Sequence, residues 1–107
     1  ILTQDFNGDG IDDLALTIWG TDYEPYTPAR NEILLSSTDG YRADYLPGPA
    51  YFNHGGGAGD IDGDGDVDII MDGSINFSYG PLHVYLNDGL GNFSYNQINL
   101  NLHYPFY

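Results

Sequence analysis

Asp5-Phe6-Asn7-Gly8-Asp9-Gly10-Ile11-Asp12-Asp13 and Asp60-Ile61-Asp62-Gly63-Asp64-Gly65-Asp66-Val67-Asp68 stand 55 residues apart, align without a gap and are identical at five of nine positions. In each stretch, carboxylate or amide oxygens occupy relative positions one, three, five and nine, with glycine at position six. A tightly wound loop points alternate side chains at one centre, and glycine permits the sharp turn. Hard cations such as Ca²⁺ want 6–8 such oxygens at about 2.3–2.6 Å. The expected ligands are Asp5, Asn7, Asp9, the Ile11 carbonyl and Asp13 in the first loop. In the second they are Asp60, Asp62, Asp64, the Asp66 carbonyl and Asp68. Asp12 is out of register and is expected to face solvent. Two calcium sites follow.

The charge balance supports the same reading. The 107 residues carry 16 Asp plus Glu against only Arg30 and Arg42, for a formal charge of -14, and nine of those acids fall in the two loops. Like charges gathered within a few ångströms cost on the order of 1 kcal/mol per pair even in water, so loop order should be coupled to metal binding. Such a surface repels phosphate, which argues against nucleic acid and anionic membranes as partners. Cysteine is absent, removing disulfides and thiolate sites. No apolar run approaches the ~18 residues of a membrane span.

The repeat extends beyond the loops. Ile33-Leu34-Leu35 precedes Asp39-Gly40 as Val84-Tyr85-Leu86 precedes Asp88-Gly89, at an offset between 49 and 51, and periods of this length mark solenoids, propellers or arrays. The apolar runs are short and bounded by turn residues: Leu14 to Trp19, Ile69 to Met71 and Leu82 to Leu86 read as strands. The Asp-Gly turns close hairpins onto return strands at Tyr41 to Leu46 and Phe93 to Ile98. Fifteen Gly and six Pro leave no window for a helix of ordinary length. The expected fold is all-β with about four strands per repeat, divided as residues 1–55 and 56–107.

Position twelve of each loop, where an EF-hand carries its bidentate Glu, holds Leu16 and Met71. Both lie in an apolar strand, which excludes the helical calcium motifs. The pattern D-x-[DN]-x-D-G-x-x-D, an apolar strand, then an aliphatic strand ending in Asp-Gly resembles the FG-GAP and VCBS repeats, as does the approach Gly57-Ala58-Gly59 to the second loop. The resemblance implies integrin-α-like β-propeller blades in a mostly extracellular setting. Two four-stranded blades do not close a propeller, so the chain is expected to belong to a larger or oligomeric one, with further blades in cis or head-to-tail copies of itself as partners. A fragment of a longer propeller is the favoured form.

The function expected is a calcium-stabilised extracellular binding or adhesion module with structural ions. The alternatives are a non-catalytic part of a secreted carbohydrate-active enzyme or lectin, and a structural repeat of a cell-surface or filament protein. No Ser-His-Asp order, phosphate-cradling loop or catalytic acid pair stands out, and His54 has no partner at ligand spacing, so catalysis is not expected. Trp19, Tyr23, Tyr26, Tyr51, Phe52, Tyr104, Phe106 and Tyr107 suit sugar stacking or blade packing, the second being favoured because facing sheets need aromatic filler. His83, alternating with apolar residues, is read as structural. Protein or glycan ligands are both compatible with this composition.

Overall fold

The computed structural model describes residues 1–16, 30–74 and 81–98, the side chains of 52–54 and 74 excepted. The strands are β1 (Leu2–Gln4), β2 (Asp13–Leu16), β3 (Glu32–Ser37), β4 (Gly40–Tyr45), β5 (Phe52–Gly59), β6 (Asp68–Ser74), β7 (Leu82–Asn87) and β8 (Phe93–Ile98). They form two four-stranded antiparallel sheets, β1-β2-β3-β4 and β5-β6-β7-β8. Among the described residues there is no helix. The all-β expectation therefore holds, as does the count of four strands per repeat. The second sheet opens at Phe52, so the division after residue 55 falls within β5.

Each aspartate-rich loop links the first two strands of its sheet, running from β1 into β2 and from β5 into β6. The hairpins differ more than the Asp-Gly pattern implied. Ser37 pairs with Gly40, leaving Thr38 and Asp39 as a two-residue turn, whereas Asn87 pairs with Phe93 and leaves residues 88–92 as a longer loop. That loop is wound by its own side chains. The Asp88 carboxylate accepts from the Leu90 and Asn92 N–H groups at 2.8 and 3.2 Å, and the Asn87 Oδ1 accepts from Gly89 and Gly91, each at 3.1 Å. Four backbone donors that strand pairing would have used are satisfied locally, so the ladder starts later.

Register decides which residues face the other sheet. Leu2 stands opposite Ala15 and Ala15 opposite Ile33, so these share one face of the first sheet with Leu35. On the second sheet Ala58, Ile69, Tyr85 and Tyr95 stand in one row and Met71 faces the same way. These two faces, with Phe6, Leu46, Tyr51 and Phe93, form one hydrophobic core. Burying each large side chain contributes about 1.5–3 kcal/mol. Phe6 meets the edge of Phe93 at 5.8 Å and 69°, a favoured aromatic geometry.

Tyr51 is buried between the sheets, as the packing reading requires, and the other seven aromatics named with it lie outside the described residues or side chains. Its hydroxyl accepts from Asn31 Nδ2 and bonds the Tyr85 hydroxyl, both at 2.8 Å. Its ring stacks on His83 at 3.6 Å and 4°. His83 is buried, with Nδ1 2.7 Å from the Tyr95 hydroxyl and Nε2 without a hydrogen bond of good geometry. Burial holds its pKa below the usual histidine range, against the Gly73 carbonyl and the Asp72 carboxylate. The imidazole is thus a neutral structural group, as its place in the strand indicated.

The contact between the sheets joins unlike faces. Leu14 pairs with Leu34 as Ile69 pairs with Tyr85, so Ala15, Ile33 and Leu35 correspond in the repeat to Ile70, Val84 and Leu86. The first three belong to the shared core, and the second three do not.

Candidate metal centres

The two loops share the hydrogen bonds that wind them. The Asp5 carboxylate accepts from the N–H groups of Gly8, Asp9 and Gly10 at 2.8, 3.2 and 2.8 Å. Asp60 accepts from Gly63, Asp64 and Gly65 at 2.9, 3.1 and 2.9 Å. Asp9 and Asp64 each accept from the N–H two residues on, at 2.9 Å. Gly8 and Gly63 have φ of 79° and 78°, and Gly10 and Gly65 have φ of 83° and 91°. Only glycine adopts that conformation without strain, so these four positions set the winding that turns alternate side chains inward.

The last aspartate anchors each loop to its sheet. Asp13 and Asp68 are fully buried. Asp13 Oδ2 accepts from the Phe6 and Asn7 N–H groups at 2.7 and 3.2 Å, and Oδ1 accepts from the Ser36 N–H at 2.7 Å. Asp68 Oδ2 accepts from Ile61 N–H at 2.9 Å and Oδ1 from Asn87 N–H at 2.8 Å. A buried carboxylate is tolerated only when its oxygens are paired in this way.

Ser36 and Asn87 therefore occupy equivalent positions, and neither was named from the sequence. The available signal was a polar residue ending each aliphatic strand at an offset of 51, but side-chain direction there depends on the other sheet. Ser36 Oγ turns into its own loop, 3.2 and 3.0 Å from the two Asp9 oxygens, 3.2 Å from the Ile11 carbonyl and 2.7 Å from Asp13 Oδ1. One hydroxyl proton can serve one of these four oxygens. Oxygens gathered this closely around one hydroxyl suit a hard cation. The Ile11 carbonyl, expected as the ligand at position seven, is turned toward the Ser36 hydroxyl. Asn7 contributes its amide differently: Nδ2 donates to the Ser36 carbonyl at 2.9 Å, and Oδ1 accepts from Asp9 N–H at 3.3 Å.

In the second loop, oxygens of Asp60, Asp62, Asp64 and Asp68 lie within 4.8 Å of one another. The Asp66 carboxylate stands apart, against the bare Cα of Gly89, where an added Cβ would come within 2.6 Å of Oδ1. The crowding is visible electrostatically. Desolvation, then the Asp64 carboxyl, push Asp62 up to about 6. Desolvation, followed by Asp64, Asp68, Asp88 and Asp60, also raises Asp66. Asp60 is held below the carboxylate range, chiefly by the Gly65 N–H. A divalent cation at the four-carboxylate centre would reverse the upward shifts. The donor types of both loops suit a hard cation, and among the described residues the converged carboxylate cluster is the one in the second loop. Asp12 is exposed, as its register indicated.

A family model described as FG-GAP-like repeat matches residues 5–71, which take in both loops, β2 to β5 and the start of β6. No curated protein and no solved structure matches the chain.

Proposed function

The chain belongs to the FG-GAP-like repeat family, and from that premise we propose that it is a calcium-stabilised extracellular binding or adhesion module built of propeller blades. The ions are structural and catalysis is not part of its role. The observation that carries this reading is the recurrence of one loop winding, with the first aspartate accepting from the same three N–H positions, in two oxygen-lined loops that each feed the second strand of a four-stranded sheet. A like-charged turn repeated at the same place in successive sheets has a use for a counter-ion. The propeller arrangement is supported by the contact between unlike faces, since heterologous contacts of this kind close into rings or continue as stacks. Further blades or copies of the chain are then the partners for the outer faces, where Leu14, Leu16 and Leu34 are half-buried on the first sheet. Thermal melting with excess calcium and with chelator tests the reading, and an unchanged midpoint would sink it.

A lectin-like role within a secreted carbohydrate-active protein has one observation in its favour. A groove of about 230 Å³ between β4 and the 88–92 hairpin is lined by Arg42, Asp44, Tyr45, Asn92 and Phe93. The Arg30 guanidinium lies 4.9 Å from the centre of the Tyr45 ring. Exposed tyrosine with flanking polar groups is a surface on which a sugar ring can stack. Binding on a glycan array that is lost in Tyr45→Ala would favour this role over protein adhesion.

A further inference from the structure

Asn87 is buried and reaches both loops. Its backbone N–H donates to Asp68 Oδ1 of the second loop at 2.8 Å. One side-chain amide proton goes to the Val67 carbonyl at 2.9 Å and the other to the Phe6 carbonyl of the first loop at 2.7 Å. The peptide that supplies the Phe6 carbonyl also supplies the Asn7 N–H, which donates to Asp13 Oδ2 at 3.2 Å. A continuous hydrogen-bonded path thus runs from the anchoring carboxylate of one loop, through Asn87 and one peptide unit, to the anchoring carboxylate of the other.

Asn87 has no slack in this position. Its Oδ1 is held by the Gly89 and Gly91 N–H groups, so every polar group of the side chain is committed and the amide cannot turn to follow one loop without releasing the other. Gly89 adds a steric contact, its carbonyl oxygen lying 3.3 Å from where a Cβ of Gly8 would stand. Ser36, the counterpart in the first sheet, has no amide, and its hydroxyl serves only its own loop. Among the described residues the link therefore exists once.

We infer that Asn87 is a positioning residue that couples the two metal loops, so that calcium in either one raises the affinity of the other. The inference rests on the calcium reading above. Ordering one loop fixes the peptide or the carboxylate at its end of the path, and a ligand that finds its loop already held binds more tightly. Coupling of this kind is reciprocal. Asn87 contacts no ion itself.

Calcium titration calorimetry on the full chain tests this through the loop that is left intact. Asp9→Ala, which disables the first loop, should weaken calcium binding at the second by about five-fold or more, and Asp64→Ala should weaken the first equally. In Asn87→Ser and Asn87→Asp, which both lose the bridging amide but differ in charge, each cross-effect should shrink to less than about two-fold. Absence of calcium binding in the unsubstituted chain would overturn the calcium reading and the coupling together. Two sites indifferent to each other's disablement would overturn the coupling alone, and a cross-effect surviving both Asn87 variants would remove Asn87 from it. A readout that needs no Asn87 variant is the Nδ2 resonance pair of Asn87 in an Asp64→Ala chain: it should shift as calcium fills the first loop, and fixed resonances would refute the path.

Discussion

The two loops share one winding and differ in what balances their charge. In the first, Asn7 replaces a carboxylate, Ser36 brings a hydroxyl among the Asp9 and Asp13 oxygens, and the second sheet's hairpin lies alongside. In the second, four carboxylates converge and, among the described residues, no hydroxyl or amide side chain donates to Asp60, Asp62 or Asp64. Local backbone geometry is thus set by glycine and aspartate spacing within nine residues. Charge compensation comes from strands and hairpins far away in the chain. On the calcium reading proposed above, the second loop has less than the first to fall back on without its ion.

The largest effect should come from the metal itself. At free calcium 100-fold above Kd, linkage gives about 2.7 kcal/mol per site and about twice that for two, read as the difference between melting curves with calcium and with chelator. If only one site contributes, the loops are less alike than their geometry.

Removing the anchors in metal-free protein should rank the loops. Asp13→Ala strands the Phe6, Asn7 and Ser36 N–H groups and should cost about 3 kcal/mol. Asp68→Ala strands the Ile61 and Asn87 N–H groups and should cost about 2 kcal/mol. Urea titrations returning the opposite order would show that donor count is not what sets the cost.

Acid should separate the loops more gently. With Asp62 pushed up to about 6, the metal-free loop holds a proton below that pH that calcium must displace. Because the folded value lies above the ordinary one, acidification from about 6 stabilises the metal-free fold through this group while weakening metal binding. Calcium affinity at the second loop should fall about four-fold between pH 7.5 and 5.5. Asp62→Asn, which copies Asn7, should flatten that dependence in the same titration. The smallest change is expected of Asp12→Ala, within about ±0.5 kcal/mol by urea unfolding, since its side chain is exposed beside the ligand register.

Much of this architecture was legible in advance, because it rests on short-range rules. Glycine at positions four and six fixes a left-handed turn wherever the chain places it, and Leu16 and Met71 continue each loop into a strand rather than a helix. What escaped notice depends on the sheets meeting. Ser36 and Asn87 are both polar residues at a strand end, yet one hydroxyl turns back to its own loop while the other's amide spans to the first sheet. Nothing local distinguishes those outcomes. The return strand Phe93 to Ile98 is legible where it stands, but not the winding before it, in which Asp88 and Asn87 capture four N–H groups.

Because the face of the first sheet carrying Ala15, Ile33 and Leu35 meets the unlike face carrying Ile69, Tyr85 and Tyr95, the molecule has a direction. Any assembly propagated by the same contact has polarity, with a leading end and a trailing end of different chemistry. A unit spoiled on its Leu14–Leu34 face, by Leu34→Asp for instance, could still join through its other side. Added in excess, it would act as a chain terminator at one end only.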